Sequence, residues 1–373
     1  VLAKSQEAKA MGVKTGEAIW QAQEKCPELL IVPPHYEAYL DYSNKARKIY
    51  YDYTNQVESF GLDECWLDVT GSTHLFGAGE TIAHTLRERM KAELGITISV
   101  GVSFNKVFAK LGSDLKKPDA VTSIPRRAYR DIVWNLPVGD LIGIGRATQA
   151  KLHKVGIYSL GQLAKTDPNY LHGMLGINGY YLWLYANGLD ESPVQDKDFR
   201  PPIKTIGRGT TCREDLINNH EVWQVFQELA FEVSARLRRH GFRAGGVQIT
   251  VKDNQLFSRQ YQMPLRRSTQ SSILLTEAAM ALFRERYPWD REVRALTIRA
   301  IQLSSDQGWH QADFFEDYKS YIKKEQIDQT LYEIKSRFGE AKVGFAGLMH
   351  IPKLPGQRND IVTLPGGILE RLA

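Results

Sequence analysis

Two adjacent acids, Asp63 and Glu64, interrupt the apolar run Ser59-Phe-Gly-Leu-Asp-Glu-Cys-Trp-Leu-Asp-Val-Thr70. Strands are depleted in acids, and burying an unpaired carboxylate costs several kcal/mol. Cys65, Leu67 and Val69 alternate with Trp66, Asp68 and Thr70, which predicts a strand in the half after the acids. Neighbouring residues of a regular strand point to opposite faces. Both acids therefore serve one site only where the backbone turns or bulges, and Gly61 supplies that freedom. A bound divalent cation is the most economical compensation for the charge. The plainer alternative is two exposed acids at a strand entrance.

The rest of the chain limits what such a site can belong to. Its 373 residues exceed one compact domain, so two to four are expected. No apolar run approaches the roughly 20 residues that span a bilayer, and no secretory signal is visible, so no membrane partner is expected. Cys26, Cys65 and Cys212 lie far apart, with neither zinc spacing nor a disulfide framework, which fits a reducing, cytoplasmic setting. The net charge of +5 is uneven: residues 203–303 carry 16 Lys/Arg and 10 Asp/Glu, so the remainder is slightly acidic. A basic segment of this kind suits a polyanion. The chain opens on Val1, which reads as a strand end leading into a helix, and a preceding natural segment is expected.

Periodicity predicts α+β organisation. Ser5–Met11 and Glu17–Lys25 read as helices separated by Gly12 and Gly16, followed by a short strand at Leu29–Val32. Helical spacing resumes from Tyr36 to about Tyr53, with Tyr39, Tyr42, Ala46 and Tyr50 on one stripe. After the acids come a helix at Gly79–Leu94, a strand at Ile96–Val102, a helix at Asn105–Leu115 and a short strand before Pro125. This alternation predicts an antiparallel sheet carrying helices.

Leu136–Leu189 is helical and punctuated by glycine. Leu141-Ile-Gly-Ile-Gly145 between short helices has the helix-hairpin-helix pattern. Its Gly143 and Gly145 would let backbone N–H groups approach a phosphate, with Lys151 following; an ordinary helical hairpin is the plain alternative. Glu191–Pro202 reads as a linker. Residues 204–304 then give β-α-β-β-α-β order, with Arg238, Arg239 and Arg243 at the end of the first helix and beyond it. Arginine there is equally a complement to the helix dipole. Gln311-Ala-Asp-Phe-Phe315 follows in a polar stretch, where paired phenylalanines call for a docking surface. A helix at Lys324–Phe338 comes next, and no periodicity is clear from His350 onward.

Taken in order, these stretches resemble the Y-family of translesion DNA polymerases, in its bacterial DNA polymerase IV branch, over roughly residues 1–345. Leu62–Thr70 resembles one family signature; Ile98–Lys110 and Ser113–Asp119 resemble another. The resemblance implies an α+β multidomain right-hand polymerase. Its fingers would be residues 1–34, with part of the palm, and a ferredoxin-like palm would occupy 35–125. A helix-hairpin-helix thumb would span 126–190, a linker 191–203 and a β-α-β-β-α-β little finger 204–304. The tail, 305–373, would carry one helix and, at Gln311, Phe314 and Phe315, a peptide for the replication sliding clamp.

The implied chemistry is error-prone, template-directed nucleotidyl transfer with two Mg²⁺ ions and a dNTP on primer-template DNA, by a chain expected to be monomeric. By resemblance Asp63 bridges the metals and Glu64 ligates the ion nearest the primer hydroxyl. Lys117 contacts the triphosphate, as do Lys9, where the family usually has arginine, and Gln6, where it usually has tyrosine. Gly61 stands in place of the usual serine. The family's first palm strand, with its aspartate ligand and steric gate, has no counterpart here, and Asp41 and Asp52 fall in the helix after Pro34. Impaired or absent polymerisation is therefore expected. The alternatives are a non-catalytic DNA- and clamp-binding protein and, less well matched to the hairpin and basic unit, a nucleotide cyclase.

Overall fold

The computed structural model describes residues 1–306, 318–339, 342–348 and 353. The chain forms two compact units, the first ending at Phe199 and the second starting at Arg200.

The first unit begins with two short helices, α1 (Gln6–Ala10) and α2 (Ile19–Lys25). Ser5 caps α1 by accepting from the Ala8 N–H at 3.2 Å. Ala8, Val13 and Ala22 make a small core under both helices. The strand expected at Leu29–Val32 does not form, and Leu30, Ile31 and Val32 are exposed. Among the described residues that apolar stretch finds no ladder partner, without which an extended segment gains nothing.

Helix α3 (Tyr36–Tyr51) leads into a hairpin of β1 (Val57–Ser59) and β2 (Cys65–Leu67). Helices α4 (Thr73–Phe76) and α5 (Gly79–Arg89) follow, and α5 runs on as a π turn, Met90–Leu94, closed by left-handed Gly95. Strand β3 (Val100–Ser103), helix α6 (Lys106–Leu115) and strand β4 (Val121–Ile124) complete this part. The expected antiparallel sheet is instead two separate pairs: β1 with β2 is antiparallel, β3 with β4 parallel. A parallel pair of consecutive strands needs a crossover connection, and α6 supplies it.

Five helices follow: α7 (Tyr129–Val133), α8 (Arg146–Lys154), α9 (Leu160–Lys165), α10 (Pro168–Leu175) and α11 (Ile177–Ala186). Their core is continuous with α6, since Val107, Phe108 and Leu111 pack into one cluster with Leu141, Leu152, Leu163 and Leu182. Residues just beyond α11 return to the hairpin, where the Gln195 N–H donates to Glu58 at 2.9 Å. Helix α6 is thus braced from both sides.

The second unit contains β5 (Ile206–Leu216), α12 (Asn219–Arg239), β6 (Phe242–Asp253), β7 (Ser258–Thr269), α13 (Ser272–Arg286), β8 (Val293–Ser305) and α14 (Tyr318–Phe338). Its sheet is antiparallel throughout, in the order β5-β8-β6-β7. Val247, Ile249, Val251, Leu296 and Ile298 are buried toward α12 and α13, while the intervening Gln248, Thr250, Thr297 and Arg299 lie on the other face. Helix α14 starts six residues before the expected Lys324, and it packs against α13.

Candidate active site

The acids stand at the tip of the β1–β2 hairpin, outside its ladder. The Glu64 carbonyl accepts from the Phe60 N–H at 2.9 Å, closing the turn, and β2 begins only at Cys65. Asp63 is exposed and Glu64 half-buried. The backbone turns at the Gly61 segment, as a shared site for both acids requires, and the acids stand at the strand entrance with Asp63 exposed. The strand is also shorter than its alternation suggests, because a 3₁₀ turn begins at Thr70.

What marks the site is the cation beside Glu64. Lys110, on α6, places Nζ 2.8 Å from Glu64 Oε1 and 2.8 Å from Asp114 Oδ2. Lys117 reaches the other oxygen of Asp114 at 2.7 Å. Burial opposes the Lys110 charge, but Asp114 and Glu64 outweigh it and raise its pKa. Burial likewise works against the Asp114 carboxylate, yet Lys110 and Lys117 hold its pKa below the usual value. Glu64, Lys110, Asp114 and Lys117 form a row of alternating charge with Asp63 at its open end. Lys110 falls within the Ile98–Lys110 signature but has no role in the sequence reading; its spacing of four from Asp114 is the one available signal.

Helix α6 is placed to hold this row. Asn105 caps it, accepting from the Phe108 N–H at 2.9 Å. Lys106 binds Glu58 of β1 at 2.7 and 2.8 Å, and its carbonyl accepts from Trp66 Nε1 of β2 at 2.9 Å. Gly101 lets α6 lie directly on β3, since a Cβ there would stand 1.9 Å from the Ala109 carbonyl oxygen.

The other expected ligand-binding residues are spread out. Gln6 and Lys9 are exposed one turn apart on α1. No hydrogen bond or ion pair among the described residues joins them to the acids. Gly143 is left-handed at φ 89°, and Gly145 is the N-cap of α8. A Cβ on Gly145 would meet nothing within 4 Å, so the approach to the first amides of α8 is open. Lys151 is not at that opening. It lies in the last turn of α8, about 9 Å along the axis from Gly145 at 1.5 Å per residue. Arg146, the first residue of α8 and exposed, is nearer and was missed.

Comparison with known proteins joins these parts. Residues 1–114 match the impB/mucB/samB family model, residues 127–157 its helix-hairpin-helix motif and residues 203–314 its C-terminal domain. DNA polymerase IV of Acetivibrio thermocellus is 44% identical over 91% of this chain and 85% of its own length. DNA polymerase IV 1 of Bacillus subtilis is 34% identical over 91% of this chain and 81% of its own. The chain belongs to the Y-family of translesion DNA polymerases, in the DNA polymerase IV branch. As a Y-family member it is a DNA-directed DNA polymerase by class. The fold agrees: a Dbh–Dpo4 chimera of the Y-family superposes with a TM-score of 0.69 at 23% identity, covering 80% of this chain and 85% of that one.

In this Y-family chain the second unit corrects two of three arginine assignments. Arg238 is turned inward, donating to the Gln270 carbonyl at 3.1 Å and to Gln329 of α14 at 3.0 Å. Burial lowers its pKa. Arg243 is enclosed by Asp306 at 2.9 Å, Glu325 at 2.8 Å and the Tyr321 hydroxyl at 2.7 Å. Both guanidiniums serve the packing of α14, which makes them unsuited to DNA contact as the unit stands. Arg239 is exposed. The sheet face away from the helices offers polar groups that were missed: Arg299 donates to Gln248 at 3.0 Å, and Gln248 to Gln262 at 3.0 Å. Their alternation with buried apolar residues was the available signal. Gln311, Phe314 and Phe315 lie outside the described residues.

Among the described residues no three His, Cys, Asp or Glu side chains converge as a metal site. None of the described helices is long and apolar enough to cross a membrane.

Proposed function

We propose that the chain carries out template-directed DNA synthesis across damaged templates, with Asp63 and Glu64 as two carboxylates of a two-Mg²⁺ site. The observation that carries this reading is the pair of adjacent carboxylates at an open hairpin tip, one already balanced by an ammonium. Hard carboxylate oxygens suit Mg²⁺, and Glu64 already takes a cationic partner in Lys110, which an incoming ion would have to displace. When bound, the ions activate the primer hydroxyl and offset triphosphate charge.

The residues present do the remaining work. Lys117, on the far side of Asp114, is half-exposed and can turn to the triphosphate of a dNTP; Lys9 and Gln6 complete the contact from α1. Lysine supplies charge without a bidentate fork, and glutamine supplies a donor. The α8 N-terminus at Gly143 and Gly145, with Lys151 further along, and Arg239 of the second unit bind phosphates of primer-template DNA. Gln311, Phe314 and Phe315 dock on the sliding clamp, and changing both phenylalanines to alanine abolishes that binding. The working form is a cytoplasmic monomer.

The second reading is a non-catalytic DNA- and clamp-binding protein. Primer extension separates them, measured on the chain and on the chain with an aspartate-bearing strand added before Val1. Extension only in the second, lost in Asp63→Ala and Glu64→Ala, supports the metal assignment. Activity unchanged by those substitutions overturns it, and no extension in either form favours the binding protein.

A further inference from the structure

Behind the acidic turn lies a buried cation that the proposed chemistry does not use. Arg47 of α3 is 6% exposed, and among the described residues it forms no ion pair. It donates instead to two neutral oxygens of its own helix, Ser43 Oγ at 2.7 Å and Asn44 Oδ1. Ser43, also buried, passes the interaction on by donating its hydroxyl to the Leu62 carbonyl. A directed chain of donors, Arg47 to Ser43 to Leu62, therefore ends on the peptide that enters Asp63.

Burial of an unpaired charge is costly, and replacing a buried ion by an apolar side chain is often neutral or stabilising. Stability alone does not explain Arg47. The neighbours do not neutralise it: burial raises the pKa values of the Tyr50 phenol and the Cys65 thiol, and both groups feel Arg47 and Asp63. A charged donor on Ser43 Oγ turns the hydroxyl hydrogen outward and strengthens its bond to Leu62. The turn itself has one well-formed closing bond, Phe60 N–H to the Glu64 carbonyl at 2.9 Å, with Gly61 N–H weaker at 3.4 Å. Ser43 supplies a second anchor, from another element, at the residue where the direction of Asp63 is set.

We propose that Ser43 and Arg47 are positioning residues that hold the Asp63–Glu64 turn ready for a divalent cation through the Leu62 carbonyl. The proposal rests on the reading of Asp63 and Glu64 as cation ligands. Groups that orient ligands in this way typically change metal affinity about 10-fold to 100-fold when removed.

The test uses the full chain and two readouts: Mn²⁺ affinity by electron paramagnetic resonance, and amide hydrogen exchange over residues 60–65. Ser43→Ala and Arg47→Met are each expected to weaken Mn²⁺ binding about tenfold and to speed exchange in that turn, with the melting temperature unchanged. The double variant should be no weaker than either single one, because one contact is being removed twice. Arg47→Lys, which keeps a charged donor, should recover part of the loss. If Asp63→Asn loses Mn²⁺ while Ser43→Ala and Arg47→Met bind and exchange like the parent, the positioning role is overturned and the ligands stand. If Asp63→Asn binds like the parent, the ligand reading falls and takes this proposal with it. A lowered melting temperature with additive losses in the double variant would mark the pair as general packing and overturn the proposal.

Discussion

The Lys110 ammonium sits 2.8 Å from a Glu64 carboxylate oxygen, joining α6 to the tip of the hairpin 46 residues earlier. The lysine side chain is 18% exposed, so this pair is partly shielded from water. A cation arriving at Glu64 meets an ammonium already there. Replacing Lys110 with methionine removes that competitor and its repulsion. Mn²⁺ affinity should rise on the order of threefold to tenfold, as expected for one nearby charge at a partly exposed site. A titration showing weaker binding in Lys110→Met would mean that the ammonium organises the ligand more than it competes.

The same row fixes a pH dependence. Lys110 and Lys117 depress the Asp114 pKa against the opposing effect of burial. A carboxyl depressed by folding adds stability above its unfolded value, lost as pH falls through its folded value. The stability difference between the parent and Asp114→Asn should therefore be full at neutral pH and close as the pH drops below 3.8, the ordinary aspartate value. The raised Lys110 pKa acts in the other direction: its share is full below 10.5 and lost only as pH rises through the higher folded value. Between pH 5 and pH 9, about the span clear of both transitions, denaturant midpoints should show a constant difference.

Gly101 makes a sharper stability prediction. A Cβ there would lie 1.9 Å from the Ala109 carbonyl oxygen and 2.6 Å from the Ser113 nitrogen, both backbone atoms of α6. Neither can move without lifting the helix from β3. Gly101→Ala should cost about 3 kcal/mol, at the upper end for overpacking, and be read as a lower melting temperature.

Much of this was legible in one dimension and some was not. The elements of the second unit follow from periodicity, and Asp63 and Glu64 stand out because acids interrupt an apolar run. Alternation reports a strand but not its partner, so the parallel pairing of β3 with β4 is visible only in the ladder itself, with α6 as its crossover. Lys110 looks like any helical lysine until the hairpin docks on it. Arg238 and Arg243 look like surface charges because their burial depends on Glu325, 82 residues beyond Arg243. Tertiary contact distinguishes an interior arginine from a DNA-facing one, and local pattern carries none of it.

The three arginines can be sorted by experiment. Glu325 accepts from Arg243 at 2.8 Å, from Thr269 at 2.5 Å and from the Gln270 N–H at 3.1 Å. Glu325→Ala removes one of the two carboxylates on the Arg243 guanidinium, leaving Asp306, and takes the acceptor from Thr269 and the Gln270 N–H, at a cost of about 1–3 kcal/mol. The second unit should lose that much on denaturation. Arg239, exposed at the same end of α12, should behave in the opposite way. Arg239→Ala should leave the melting temperature unchanged, weaken primer-template binding without regard to sequence, and reduce the salt slope by about one. If Arg239→Ala binds DNA like the parent at every salt concentration, this end of α12 does not face the phosphates. The sheet face carrying Gln248, Gln262 and Arg299 would then be the surface to mutate next.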